Sequence, residues 1–220
     1  MTTTAAASAA IDLSTVLLKI LGPEGQSIHG GSCTWALPKG KRGGKWMPPV
    51  EGEIRACGTG YHLAKLAGLH ECTAKGCLVF MAEGRGDQQA HENKVAFREA
   101  RLIRRLSWDD RIARLFAADC AERVLPIYER DYPTDKRPRM SIEGARRFAE
   151  GQATPEELAA ARAAARDAAR DAAWAAARAA AWDAETTWQE RRLAWYLGLL
   201  TEEPPIAVSD IVRRSSHEHP

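Results

Sequence analysis

The sequence predicts an α+β fold: a small mixed β module followed by an all-helical, Ala-rich region with one long helix. Three observations predict it. Short apolar runs in the first half are closed by Gly and Pro, as buried strands are. Past Leu106 the apolar residues recur at helical spacing. From Glu156 through Leu197 the chain has neither Gly nor Pro.

Taken in order, residues 1–10 are Thr, Ala and Ser-rich and read as a flexible tail, and residues 11–106 form the β-rich module. Val16–Leu21 reads as a buried strand turned by Gly22-Pro23-Glu24-Gly25. The Gly-, Pro- and Trp-rich stretch 29–60 predicts short strands joined by tight turns. Cys77–Ala82 is the clearest strand, expected to close at Gly84-Arg85-Gly86-Asp87, and Val95–Leu106 alternates enough to be another, with a helix as the alternative.

The helical region spans 107–200. Ser107 and Asp110 have the spacing of a capping box. Ile112, Leu115, Phe116, Cys120, Val124, Ile127 and Tyr128 follow at helical intervals, with Pro126 expected to kink the helix or end it early. Residues 131–140 read as a loop, and Ser141 as the cap of a short helix stopping at Gly151. Thr154, Pro155 and Glu157 give the cleanest helix start in the chain. The helix they open would run for roughly 40 residues and about 60 Å unless it breaks near Thr186-Thr187 or folds back as a pair. Trp174, Ala181, Trp188 and Trp195, seven apart, mark its buried stripe, expected to pack against the helix at 107–128. Residues 201–220 read as a flexible C-terminal tail.

Composition narrows the function classes. With 31 Lys and Arg against 29 Asp and Glu, the net charge is +2, so no global basic field points to nucleic acid. No apolar stretch is long enough to span a bilayer, and the N-terminus lacks the pattern of a signal peptide. Five cysteines without regular spacing argue against a disulfide framework. A cytoplasmic setting is expected.

Two constellations could carry chemistry. Cys57, His62, His70, Cys72 and Cys77 lie close together, with His29 and Cys33 upstream, but the paired short spacings of structural zinc are missing, so no metal is expected. Ser27-Ile28-His29-Gly30-Gly31, then Cys57-Gly58-Thr59-Gly60-Tyr61-His62-Leu63-Ala64, then Glu92-Asn93-Lys94-Val95 follow in an order similar to ADP-ribosyltransferases of the poly(ADP-ribose) polymerase type. That resemblance implies NAD as cofactor, with His29 against a ribose, His62 on the nicotinamide face and Glu92 as the catalytic carboxylate. No cofactor is expected on the main reading.

Two broader resemblances cover most of the chain. Residues 16–106 look like an uncharacterised module of bacterial and phage proteins. It has a Cys-x-x-Gly-[Tyr/Phe]-His core, here Cys57 to His62, flanked by Gly44-Lys45-Trp46 and Lys94-Val95. Residues 107–185 resemble immunity proteins of polymorphic-toxin systems, through Cys120-Ala121-Glu122-Arg123-Val124-Leu125-Pro126, Asp135-Lys136-Arg137-Pro138-Arg139 with Ile142-Glu143, and Glu150-Gly151. The resemblance implies a non-enzymatic inhibitor of immunity or phage anti-defence type, whose partner is a toxin or a defence-system component. Tyr132, Arg137 and Arg139 are of residue types enriched at interfaces and are the candidate contact residues; local pairing to Asp131 and Asp135 is the alternative for these arginines. An NAD-binding enzyme and a structural phage component, the latter as a homo-oligomer, are the rival expectations.

Overall fold

The computed structural model describes residues 11–28, 31, 33–39, 42–69, 73–160 and 182–206, with the side chains of 182–184 left aside. Contacts divide the chain into two compact units. One comprises Met1–Thr73, Leu78–Leu106 and Leu197–Thr201; the other comprises Ala74–Cys77, Ser107–Tyr196 and Glu202–Pro220. The architecture is α+β, as the sequence predicts.

The first unit is a closed antiparallel barrel of four strands, β1 (Leu17–Leu21), β2 (Tyr61–Lys65), β3 (Leu78–Ala90) and β4 (Lys94–Arg105). They neighbour one another in the order β1-β2-β4-β3, with β3 closing back on β1. Closure leaves no long open edge. Leu21, Trp35, Met47, Leu63, Phe80, Ala82, Val95, Phe97, Ala100 and Leu102 form one apolar cluster. Leu18 and Ile20, which alternate with Leu17 and Leu21 on β1, are buried as well. A short strand buried on both faces reads as a continuous apolar run, which is why Val16–Leu21 stands out in the sequence.

Gly84-Arg85-Gly86-Asp87 does not close β3. The strand continues to Ala90, and the register against β4 shifts between Arg85 and Gln88. Gly86, at φ 78°, sits in that bulge, where a backbone needing positive φ favours glycine. Gly84 has a different reason. A Cβ there would lie 2.1 Å from the Phe97 ring, so the ring occupies the space a side chain would need.

The stretch 29–60 also departs from expectation. Among its described residues it has isolated bridges, Gln26 with Thr34 and Lys39 with Arg42, and no ladder strand. Residues 44–50 instead run along β4, with the amides of Gly44, Met47 and Val50 donating to the carbonyls of Leu102, Ala100 and Arg98. Pro48 and Pro49 have no N–H to extend that pattern. Arg98 clamps the end of the stretch, donating to the carbonyls of Val50 and Gly52 and pairing with Asp87. The guanidinium groups of Arg85 and Arg101 both lie over the Trp46 ring, 4.1 and 4.8 Å from its centre.

The second unit is helical: α1 (Asp110–Asp131), α2 (Arg137–Ala149) and α3 (Trp182–Tyr196), with a further helical segment at 155–160. Asp109 caps α1, its carboxylate accepting from the Ile112 amide at 2.7 Å, so the start falls two residues beyond the Ser107 box. Pro126 does not end α1. The helix continues to Asp131 because Leu125 and Tyr128, on either side of the proline, are buried and hold it. The loop at 131–140 is shorter than expected. It spans residues 132–136, and Arg137-Pro138 already form the first turn of α2, where proline's missing N–H costs nothing. Ser141 is therefore inside α2. Gly151, at φ 74°, follows its end as expected.

Thr154 and Glu157 form the expected reciprocal cap. The Thr154 amide donates to the Glu157 carboxylate at 2.7 Å, and the Glu157 amide donates to Thr154 Oγ1 at 3.2 Å. Trp174 and Ala181 lie outside the described residues, as do all of residues 161–181, on which the continuity of the expected long helix turns. α3 passes through Thr186-Thr187 unbroken, and Trp188 is buried. Among the described residues no helix is long and apolar enough to cross a membrane.

Candidate functional site

α1 is the centre of the helical unit, and its partners fix its neighbours' directions. Arg139 of α2 pairs with Glu129 at 2.6 Å, while Arg146, two turns later, pairs with Glu122 and with Asp119. α2 therefore runs antiparallel to α1. Glu185 of α3 pairs with Arg123 at 2.6 Å, and Arg192 and Tyr196, later on α3, reach Asp119. α3 is antiparallel to α1 as well.

Asp119 is the hub. It is 1% exposed and accepts from Arg146 at 2.6 Å, Arg192 at 2.7 Å and the Tyr196 hydroxyl at 2.6 Å. A carboxylate withdrawn from water needs partners of this kind, and here two guanidinium groups and a phenol supply them. Burial, followed by the hydrogen bond to Asp119, raises the Tyr196 hydroxyl well above its ordinary value. Burial also pushes the Cys120 thiol up to about 12, with Glu185 and Asp119 adding to it. At neutral pH that thiol is not a nucleophile.

The corner between α1 and α2 holds the three candidate contact residues. Tyr132 is 42% exposed and stacks on Tyr128, ring centres 4.8 Å apart. The Tyr128 hydroxyl donates to Asp135 at 2.7 Å, and Arg137 grips the same carboxylate with its Nε and Nη2. Hydrogen bonds from Arg137, then from Tyr128, hold the Asp135 carboxyl well below the usual carboxylate range. Arg139 pairs with Glu129 rather than with Asp131 or Asp135, and its hydrogen bond lowers the Glu129 carboxyl. Both arginines are thus locally paired while remaining about half exposed. Met140, 63% exposed, adds an apolar group one residue beyond Arg139. The corner presents an aromatic, a thioether and two paired, half-exposed guanidinium groups.

The other predicted site lies in the barrel. His62 sits on β2 opposite Ala96, with its Nε2 3.2 Å from the Arg55 carbonyl. A carbonyl can accept but not donate, so Nε2 carries the proton. Burial, together with Lys94 and Lys19 nearby, lowers the His62 pKa and favours the neutral ring. Its neighbour Tyr61 donates to the Pro48 carbonyl at 2.8 Å and meets Trp35 edge to face. Glu92 is exposed in the turn between β3 and β4, four residues from the Ala96 that faces His62. His29 lies outside the described residues, as do His70 and Cys72. Cys33 and Cys57 are exposed and Cys77 is buried. Among the described residues no three His, Cys, Asp or Glu side chains gather as a metal site.

Residues 109–191 match the family model described as Imm-5 like putative immunity protein. The match covers α1, α2 and most of α3, and so includes Asp119, Arg123, Arg146 and the corner around Tyr132. No curated protein matches the chain, and no solved structure does.

The hub itself is what sequence reading misses. Asp119 and Arg123 fall on the same helical stripe as Ile112, Leu115 and Phe116, and a charged residue on an apolar stripe is the signal that a buried ion network crosses it.

Proposed function

We propose that the helical unit is an immunity-type inhibitor that binds a protein partner, a toxin or a defence-system component, in the cytoplasm and blocks it without chemistry of its own. The observation that carries this reading is the match of residues 109–191 to an immunity-protein family. The geometry supports it. The ion network around Asp119 fixes three helices relative to one another, so the α1–α2 corner is ordered before any partner arrives. A preordered surface loses little conformational entropy on binding. Tyr132 and Met140 offer exposed apolar area, and Arg137 and Arg139 offer oriented donors, the residue types from which binding hot spots are built.

The test is capture followed by protection. The tagged full chain is used to recover partners from bacterial lysates, beside a Tyr132→Ala, Arg137→Ala, Arg139→Ala variant. A recovered toxin or defence component should be retained at least tenfold more strongly by the wild-type chain. Co-expression of the wild-type chain should relieve that component's effect on growth or on phage infection, and co-expression of the variant should not. Equal retention by both chains, or binding without relief, overturns the reading.

A further inference from the structure

The segment expected to be a free tail is instead held in place at its beginning. Three consecutive backbone carbonyls, those of Pro204, Pro205 and Ile206, each accept from a different side chain of the helical unit. Arg192 Nη1 donates to Pro204 at 2.8 Å, Trp188 Nε1 to Pro205 at 2.8 Å and Arg123 Nη1 to Ile206 at 3.5 Å. Arg192 Nη1 also takes the Glu203 carboxylate at 2.7 Å. The donors are built into the unit. Arg192, Trp188 and Arg123 are buried, and each guanidinium stacks on an aromatic ring of α3, Arg123 on Trp188 and Arg192 on Trp195 and Tyr196.

The contacts are of an unusual kind for an intramolecular tail. They read backbone carbonyls and one carboxylate, and little apolar area goes with them. Of Glu203, Pro204, Pro205 and Ile206, Pro204 alone is buried. Segments held by few buried apolar contacts open at low free energy. Opening would take from Arg192 Nη1 both acceptors given to it here, Glu203 and Pro204, and leave the guanidinium between aromatic rings and water. A charge-assisted hydrogen bond is among the strong ones, so the groove favours a replacement with the same chemistry. Two prolines in succession favour an extended conformation and carry accessible carbonyls, which is the form in which proline-containing segments are recognised by aromatic, donor-lined grooves.

We infer that Trp188, Arg192 and Arg123 line a peptide-binding groove for an extended protein segment in which a carboxylate precedes proline, and that Glu203–Ile206 occupies it as an internal pseudo-ligand. The groove is separate from the Tyr132 corner. Its floor reaches from Arg123 and Trp188, inside the matched residues 109–191, to Arg192 just past them, and the strap lies beyond the match.

The test uses the full chain and a synthetic peptide, Thr-Glu-Glu-Pro-Pro-Ile-Ala, which copies residues 201–207. Binding is followed by tryptophan fluorescence and calorimetry in the wild-type chain and in a Glu203→Ala, Pro204→Gly variant. Amide exchange at Glu202, Glu203 and Ile206 reports whether the strap has loosened. The variant should bind the peptide at least tenfold more tightly than the wild type, because the internal competitor is weakened. Replacing the peptide's second Glu by Ala should reduce binding about tenfold. Trp188→Phe, which keeps a ring and removes the N–H, should reduce it in a chain that still folds. A loosened strap without saturable peptide binding overturns the inference, and so does equal binding by both chains. Unchanged amide exchange in the variant overturns it too, since these contacts would then not be what holds the strap. None of these outcomes bears on capture through the Tyr132 corner.

Discussion

The two units solve the problem of a specific interior in opposite ways. The barrel's central cluster is apolar throughout, from Leu21 and Leu63 to Phe97 and Leu102, and its backbone is satisfied by a closed ladder. The buried charged residues among those described, Asp119, Arg123 and Arg192, all belong to the helical unit. Apolar packing is indifferent to direction and accepts swaps that conserve volume, but it suffers when volume is added or removed. An ion network is the reverse: it yields little net stability, yet it fails sharply when one member is removed. The barrel is therefore expected to tolerate loss of a charge and resist a change of volume, and the helical unit to do the opposite.

The largest effect should come from the hub. Asp119→Ala leaves Arg192 and Arg146 without their shared acceptor, and breaking a buried pair in this way costs about 3–5 kcal/mol. Urea unfolding followed by far-ultraviolet circular dichroism measures it. Replacing the set together, Asp119→Leu with Arg192→Met and Arg146→Met, should cost less than the single change, because no charge is then stranded. A single change below about 1 kcal/mol would dissolve the contrast between the units.

A smaller effect, of about 1–3 kcal/mol, is expected from Gly84→Ala in the barrel, the range for overpacking a filled interior. The new methyl would meet Phe97 Cγ at 2.1 Å, and the ring cannot leave without disturbing the cluster around it. Phe97→Leu in the same chain should recover part of the loss, which separates a steric cause from any effect of glycine on strand flexibility. If Gly84→Ala is neutral in thermal unfolding, the ring is not fixed where the structure places it.

How much of this was readable beforehand follows the same division. β1 and the first half of β3 announce themselves, because strands buried in an apolar cluster read as apolar runs, whereas β4, with Lys94, Arg98, Glu99, Arg101, Arg104 and Arg105 among its apolar residues, shows only an alternation that a helix could also carry. The continuation of β3 to Ala90 does not announce itself, since Gly84 and Gly86 carry the local signature of a turn while Phe97 and the bulge give them another use. The cap at Thr154 is legible because all its partners lie within four residues. Arg137-Pro138 reads as loop for the opposite reason: the dipeptide also suits a first helical turn, and the Tyr128–Asp135–Arg137 contacts that decide it bridge two elements. Tyr132, Arg137 and Arg139 are singled out by residue type alone, and the structure adds that both arginines are already paired. The strap was illegible, because Pro204-Pro205 in a polar context reads as a tail unless the donors of Arg192, Trp188 and Arg123 are known to face it.

The smallest effect distinguishes the units by their response to acid. The His62 pKa is lowered in the folded barrel, chiefly by burial, against about 6.5 in an unfolded chain. Between those two values the unfolded state binds more protons, so stability falls as the pH drops through that window and is level below it. The Asp135 carboxyl in the helical corner is also depressed, by Arg137 and Tyr128, but its contribution is complete above about 3.9, the ordinary carboxylate value, and is lost only in stronger acid. Between pH 7.5 and 5.5 the two groups therefore separate. The melting temperature of the wild-type chain should fall across that interval by more than that of a His62→Gln variant, while Asp135→Asn should leave the slope unchanged. A wild-type melting temperature that rises on acidification, or a slope identical in His62→Gln, would show that the imidazole is not held neutral against the Arg55 carbonyl.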